Sequence, residues 1–201
     1  MSANATTGGK VTGVLMVGVG GQGIILASDV LAQVAMEAGF DVKKSEVHGM
    51  SQRGGTVSSH VRFGDKVWSP MIPEGRADVL LAFEQAEGLR AIHELAPGGR
   101  AIVSTQQIIP PIAAGKQFSY PEDALAQLAA RCPSLVSVDA VAECRVLGNE
   151  KMQSVLFLGA LAPSLAFPES LWRKVIVARV PRGTAEGNWA AFQRGRALAT
   201  A

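Results

Sequence analysis

Cysteine is scarce in this sequence: Cys132 and Cys144 are the only two in 201 residues, twelve positions apart and outside any Cys-x-x-Cys arrangement. An iron–sulfur cluster usually takes four thiolates, so the chain cannot hold one alone, and two such thiols in a reducing compartment read as unpaired and buried. Aromatic residues make up 5% of the chain, and Trp68, Trp172 and Trp189 are too scattered to form a base-stacking platform. Neither sign of charge dominates. Nineteen Lys and Arg against seventeen Asp and Glu leave a formal charge of +2 and no basic block, which excludes a nucleic-acid partner from expectation. Long apolar runs are missing as well: residues 14–19 are too few to span a bilayer, and Ser28 and Asp29 interrupt the helix that follows, so no membrane partner is expected. Residues 1–10 are small and polar, which reads as a disordered tail rather than a signal peptide and places the protein in the cytoplasm.

Against these absences stand 48% hydrophobic residues and 22 glycines, arranged in alternating strand and helix patterns. Residues 11–19 have the β-branched profile of a buried parallel strand, and apolar positions from Ile24 to Ala35 recur at helical spacing before Gly39 supplies a left-handed stop. A second strand is predicted over 40–47. Between 57 and 63, Val57, Ser59, Val61 and Phe63 alternate with Ser58, His60 and Arg62, which places His60 on a wetter face. Gly64-Asp65 predicts a hairpin joining 57–63 to a strand over 66–69, hence antiparallel pairing in an otherwise parallel sheet. Further along, the pattern predicts a strand at 77–83, a helix at 84–95 ended by Pro97-Gly98-Gly99, and strands at 100–105 and 135–138. Pro121 opens a helix in between, and beyond Asp139 the reading is helical. The expectation is one domain over 11–201: a three-layer α/β/α fold with a mostly parallel, mixed sheet, a Rossmann-like N-terminal half and a helical C-terminal third.

Gly18-Val19-Gly20-Gly21-Gln22-Gly23 fits G-x-G-x-x-G between a predicted strand and a predicted helix. Without Cβ atoms the backbone turns sharply, and an anion can approach the N–H groups at the helix start, where the dipole favours negative charge. A nucleotide, a pyrophosphate or coenzyme A suits such a loop, and so does a tight turn that only packs helix on strand. A dinucleotide site also needs a carboxylate about 20 residues on. Asp41 lies near the start of its strand and Lys43-Lys44 crowd its middle, so neither Asp41 nor Glu46 is well placed for that part.

The densest stretch of polar chemistry is Ser45-Glu46-Val47-His48-Gly49-Met50-Ser51-Gln52-Arg53-Gly54-Gly55-Thr56-Val57, leaving a strand on the side where open α/β sheets bind ligands. The combination of GVGGQG, SEVHGMSQRGG, SHVRFG, VWSP, ADVLLAFE and LGNEKMQSVLFLGAL resembles the gamma-type module of 2-oxoacid:ferredoxin oxidoreductases over nearly the whole chain. The full SEVHGMSQRGG wording resembles the beta subunits of the indolepyruvate enzymes within that family. Gln153 departs from the asparagine expected of many relatives. What the resemblance implies is a subunit of an enzyme that decarboxylates arylpyruvates oxidatively, forms aryl-acetyl coenzyme A and reduces ferredoxin. Thiamine diphosphate, Mg and 4Fe-4S clusters then belong to a large alpha subunit, since this chain carries neither a GDG-type motif nor clustered cysteines. The resemblance makes Gly18, Gly20, Gly21, Gln22 and Gly23, with Ser51, Gln52, Arg53, Gly54 and Gly55, a candidate cradle for the phosphates of coenzyme A or a lining of the partner interface. Arg53 leads that set, because its planar fork reads phosphate or carboxylate in bidentate fashion.

Other side chains carry two readings each. His48 is a candidate proton shuttle or a loop histidine bonded to its neighbours. Glu84 and Glu87 either touch a ligand or supply negative charge to the first turn of a helix. His60 and His93 lack a second ligand at helical spacing, so no metal site is expected. The apolar segment 155–165, with Gly159 and Ala160, serves core packing or a subunit contact. Two functions compete with the oxidoreductase subunit: an independent NAD(P)- or flavin-dependent reductase using the glycine loop, and a scaffold without chemistry.

Overall fold

The computed structural model describes residues 10–48, 55–109 and 119–200, with only the backbone of His48, and readings that concern the other residues lie outside it. Six strands form one sheet: β1 (Thr12–Val19), β2 (Asp41–His48), β3 (Thr56–Gly64), β4 (Ala77–Ala82), β5 (Leu95–Ser104) and β6 (Val136–Val138), in the order β2-β3-β1-β4-β5-β6. β1, β4, β5 and β6 pair in parallel, while β3 lies antiparallel to both β1 and β2. Strand β3 alone therefore runs against the rest, and the sheet is mixed but mostly parallel, as expected. Seven helices among the described residues complete the fold: α1 (Ile24–Glu37), α2 (Gln85–Ala91), α3 (Ala124–Arg131), α4 (Ala140–Val146), α5 (Gln153–Leu161), α6 (Glu169–Arg179) and α7 (Ala185–Thr200).

Period-two alternation divides the strands between two cores. Val14, Met16, Val61, Phe63, Leu81 and Ile102 face α1, α5, α6 and α7, whereas Leu15, Val17, Leu80, Ala82, Ala101 and Val103 face the smaller layer of α2 and α3. Burying each such aliphatic side chain contributes roughly 1.5–3 kcal/mol, so the larger face dominates stability. Helix α5 is buried from Ser154 to Leu161 because α7 crosses it at Gly159 and Gly195. A Cβ on either glycine would overlap a backbone carbonyl of the facing helix, Phe192 O or Leu156 O, so the small residues of this segment serve the core. Helix α1 ends as its sequence demands: Gly39 sits at φ 91°, and the N–H groups of Gly39 and Phe40 bond to the carbonyls of Met36 and Ala35.

Four local expectations need correction. No strand forms at 66–69; β3 finds its partners in β2 and β1, and the segment after it is a loop held to the sheet by side chains. The helix predicted for 84–95 stops at Ala91, a 3-10 turn follows at Ile92–Glu94, and β5 starts at Leu95. Pro97-Gly98-Gly99 does not end an element. It bulges out of β5, whose register against β4 jumps from Ala77↔Leu95 to Val79↔Arg100. Finally, His60 is buried at 7% exposure, because Ile72 folds back and donates its N–H to His60 Nδ1 at 3.3 Å. Burial holds the imidazole below its usual range, with the charge of Glu94 opposing.

At the amino ends of the strands, Arg100 donates to Ser164 Oγ at 3.4 Å and to the Ala199 carbonyl at 2.9 Å. Lys10 lines the same cavity, of about 400 Å³.

Candidate functional site

The parallel strands deliver their carboxyl ends to one edge, where the chain turns after Val19, Ala82, Ser104 and Val138. The antiparallel β3 brings its first residue, Thr56, to that same edge, opposite Val19. Register places the His48 backbone beside Val57 and Val57 beside Gly18. At about 4.8 Å per strand, His48 stands two strand spacings from the glycine loop. One direct bond joins the two loops: Gly20 N–H donates to Gly55 O at 2.9 Å. The structure thus brings together the glycine loop, Gly55 and the end of the strand bearing His48. Ser51, Gln52, Arg53 and Gly54 lie outside the described residues.

Gly18, Gly21 and Gly23 each have a reason of their own. A Cβ at Gly18 would stand 2.9 Å from Phe83 Cβ, and one at Gly23 would stand 2.9 Å from Ser154 Cβ, so these two permit packing of strand and helix. Gly21 differs, since at φ 105° it faces open space among the described residues. Gln22 is a strut. Its Oε1 accepts from Val19 N at 2.7 Å, and its Nε2 donates to Phe83 O at 2.6 Å and Gln106 Oε1 at 2.9 Å, tying together the ends of β1, β4 and β5. Gln22 therefore shapes the loop, with its amide already engaged.

Beside this loop lies a cavity of about 380 Å³ lined by Val19, Gly20, Gly21, Gly23, Ile24, Ile25 and Val57. Helix α1 begins at its margin behind Gly23, a left-handed N-cap at φ 81° with no side-chain cap. The N–H groups of Gly21, Gly23, Ile24 and Ile25 have no acceptor among the described residues. Unsatisfied helix-start donors with the positive end of the dipole favour an anion, and the aliphatic wall favours an apolar body attached to it. A phosphate-bearing cofactor with an organic arm, such as coenzyme A, fits that donor set.

Two carboxylates flank the edge. Glu84, 1% exposed, caps α2 by accepting from Glu87 N at 2.8 Å, and also accepts from Ile108 N at 3.2 Å and from the Tyr120 hydroxyl. Burial and the Glu84 charge push the Tyr120 phenol upward, keeping it a neutral donor. Glu87 is raised by burial, against the pull of Arg90 at 2.9 Å, and Arg90 also reaches Thr56 Oγ1 at 3.3 Å. The sequence put Glu84 in the first turn of a helix; the helix starts one residue later, at Gln85, which makes Glu84 its cap. Its link to Tyr120, 36 residues away, had no local signal.

Fold and site together define an α/β domain with a cleft of open backbone N–H donors at the carboxyl edge of its sheet. Residues 13–198 match the pyruvate ferredoxin/flavodoxin oxidoreductase family, and the chain belongs to it. It is 37% identical to indolepyruvate oxidoreductase subunit IorB of Thermococcus kodakarensis, over 92% of this chain and 95% of that one. Similarity to the Archaeoglobus fulgidus subunit of the same name reaches 40% over 77% of this chain and 78% of the relative. Among solved structures, the gamma subunit of a keto/oxoacid ferredoxin oxidoreductase from Geobacter sulfurreducens PCA superposes with a TM-score of 0.68 at 24% identity, covering 94% of this chain and 98% of that one. The 2-oxoglutarate:ferredoxin oxidoreductase of Magnetococcus marinus, with 2-oxoglutarate, coenzyme A and succinyl-CoA bound, shares the fold at a TM-score of 0.75 and 20% identity, covering 95% of this chain and 31% of that one. The resemblance read from the sequence thus holds, and the protein is an oxidoreductase subunit that works with a larger partner subunit.

Proposed function

We propose that this chain is the small subunit of a cytoplasmic indolepyruvate:ferredoxin oxidoreductase, and that its glycine cleft receives the phosphate end of coenzyme A. The observation that carries this reading is the 37% identity over 92% of the chain to an indolepyruvate oxidoreductase subunit. The cleft supports it, because open N–H groups beside Gly21 and an aliphatic wall at Ile25 and Val57 suit a phosphate with an organic arm. Arg53, outside the described residues, is the first candidate to close on that phosphate. The overall reaction joins an arylpyruvate to coenzyme A, releases carbon dioxide and one proton, and passes two electrons singly to ferredoxin. Thiamine diphosphate, in the large alpha subunit, supplies the electron sink for decarboxylation. With only two cysteines, both buried and unpaired, the present chain supplies binding and positioning while the partner carries the clusters. Among the described residues no helix is long and apolar enough to cross a membrane.

The geometry weighs against a free-standing dinucleotide reductase. Strand β3 separates β2 from β1, and Asp41 lies at the far end of β2, bound to Lys43 at 2.6 Å. The test is reconstitution with the large subunit. Arylpyruvate- and coenzyme A-dependent ferredoxin reduction is expected only when both subunits are present, with Arg53→Ala raising the KM for coenzyme A while assembly persists. Full activity of the large subunit alone would refute the assignment, and calorimetric binding of NAD(P)H or flavin to the isolated chain would restore the reductase.

A further inference from the structure

Among the described residues the buried serines are Ser28, Ser59, Ser104 and Ser154. Ser28 Oγ donates to the Ile25 carbonyl at 2.9 Å, Ser59 Oγ to the Ser45 carbonyl at 3.5 Å, and Ser104 Oγ accepts from Gln106 N at 3.1 Å. Ser154, 3% exposed, has no partner for its hydroxyl among the described residues. From Ser154 to Leu161 helix α5 is buried, and no other side chain in that stretch is polar. A helical hydroxyl ordinarily turns back to a carbonyl three or four residues earlier, as Ser28 does, and as Thr200 does to Arg196 at 3.1 Å. Ser154 makes no such bond. A hydroxyl withdrawn from water without a partner costs stability, and nothing in the described chain offsets that cost. Trp172 Nε1 is unpartnered too, but it is sealed in the core, its ring packed against those of Phe167 and Phe192. Ser154 sits elsewhere: a Cβ on Gly23 would stand 3.0 Å from its Oγ, so the hydroxyl borders the N-cap of α1 at the wall of the glycine cleft.

We infer that Ser154 is a binding residue of the glycine cleft, its hydroxyl donating to the same phosphate that meets the open N–H groups of the loop. The N–H groups of Gly23, Ile24 and Ile25 take no acceptor from Ser154 or any other described residue, so the hydroxyl and the helix start stand together with their hydrogens uncommitted. Fixed backbone donors define how an anion approaches, and a hydroxyl that rotates to suit adds one more donor from a second helix. Glycine at the cap is what admits it, since a Cβ on Gly23 would also press on Ser154 Cβ at 2.9 Å. Helix α5 is held in turn by α7 at Gly159 and Gly195, so the hydroxyl rides on a rigid, buried element. The inference rests on the reading of the cleft as the coenzyme A site but is separable from it, because the cleft keeps its backbone donors when the hydroxyl is removed.

Reconstitution with the large subunit tests this through two variants, Ser154→Ala and Ile25→Glu. Ser154→Ala should raise the KM for coenzyme A about 10-fold or more, as expected for the loss of a hydrogen bond to a charged oxygen, with the loss falling on KM rather than kcat and the arylpyruvate KM unmoved. The thermal midpoint of the variant chain should stay level or rise, because the hydroxyl has no partner among the described residues. Ile25→Glu sets a carboxylate on the wall of the cleft at a position 46% exposed, and should raise the same KM by repulsion. A raised KM for Ile25→Glu with an unchanged one for Ser154→Ala overturns the inference about Ser154 alone. If both variants titrate as the wild type does, the coenzyme A reading of the cleft falls, and Ser154 with it. A fall in thermal midpoint and kcat together for Ser154→Ala makes the hydroxyl a packing group, and equally overturns its binding role.

Discussion

Gln22 closes three hydrogen bonds at the carboxyl edge, and without it Val19 N and Phe83 O lose a side-chain partner that no neighbouring group replaces. Replacing it by leucine keeps the bulk and removes the polar atoms, so Gln22→Leu should cost about 1–3 kcal/mol in urea denaturation. Asp41 works at the opposite end. Its carboxyl is held down to about 2, first by Lys43, then by the Val67 N–H and by Lys66. A carboxyl depressed in the folded state stabilises fully above its unfolded pKa, about 4, and loses that contribution as pH falls towards the folded value. The stability difference between wild type and Asp41→Asn should thus be largest near neutrality and shrink between about pH 4 and pH 2. Parallel urea titrations measure it, and a difference independent of pH would mean that the clamp is not ionic.

Between α5 and α7, contact is backbone to backbone at Gly159 and Gly195, so no rotamer change can accommodate a methyl group. Gly159→Ala should destabilise the chain by about 1–3 kcal/mol or more, despite the better helix propensity of alanine, measured as a fall in thermal midpoint. Both glycines sit in helical sequence, and nothing local distinguishes a glycine that tolerates alanine from one pressed on a carbonyl. Helix α1 was legible because its strand, its cap and its stop follow one another along the chain. The partner of β3 was misread for the opposite reason: Gly64-Asp65 has hairpin chemistry, but the strands that β3 pairs with lie before it, as Val42↔Phe63 and Thr12↔Phe63. Turn propensity sees a few residues, and a ladder is settled by burial across dozens. The bulge at Pro97 and Gly98 follows the same logic, since breakers end a strand only when its flanks have no partner to rejoin.

Seen whole, the molecule collects its candidate chemistry at one end of the sheet. The glycine loop and Gly55 were legible there because motif and position coincide within a few residues. Gln22 was legible only as a motif member, since its partners Phe83 and Gln106 are distant in sequence. The Glu84–Tyr120 clamp escaped notice for the same reason. At the other end, Arg100 grips the Ala199 carbonyl in a cavity that Lys10 also lines. Lys10 and the Ala199 carbonyl thus lie together at one end of the sheet, and the glycine cleft lies at the other. A surface tether attached at Lys10 or beside Ala199 should leave coenzyme A titration of the reconstituted enzyme unchanged, whereas an insertion beside Gly21 should abolish it.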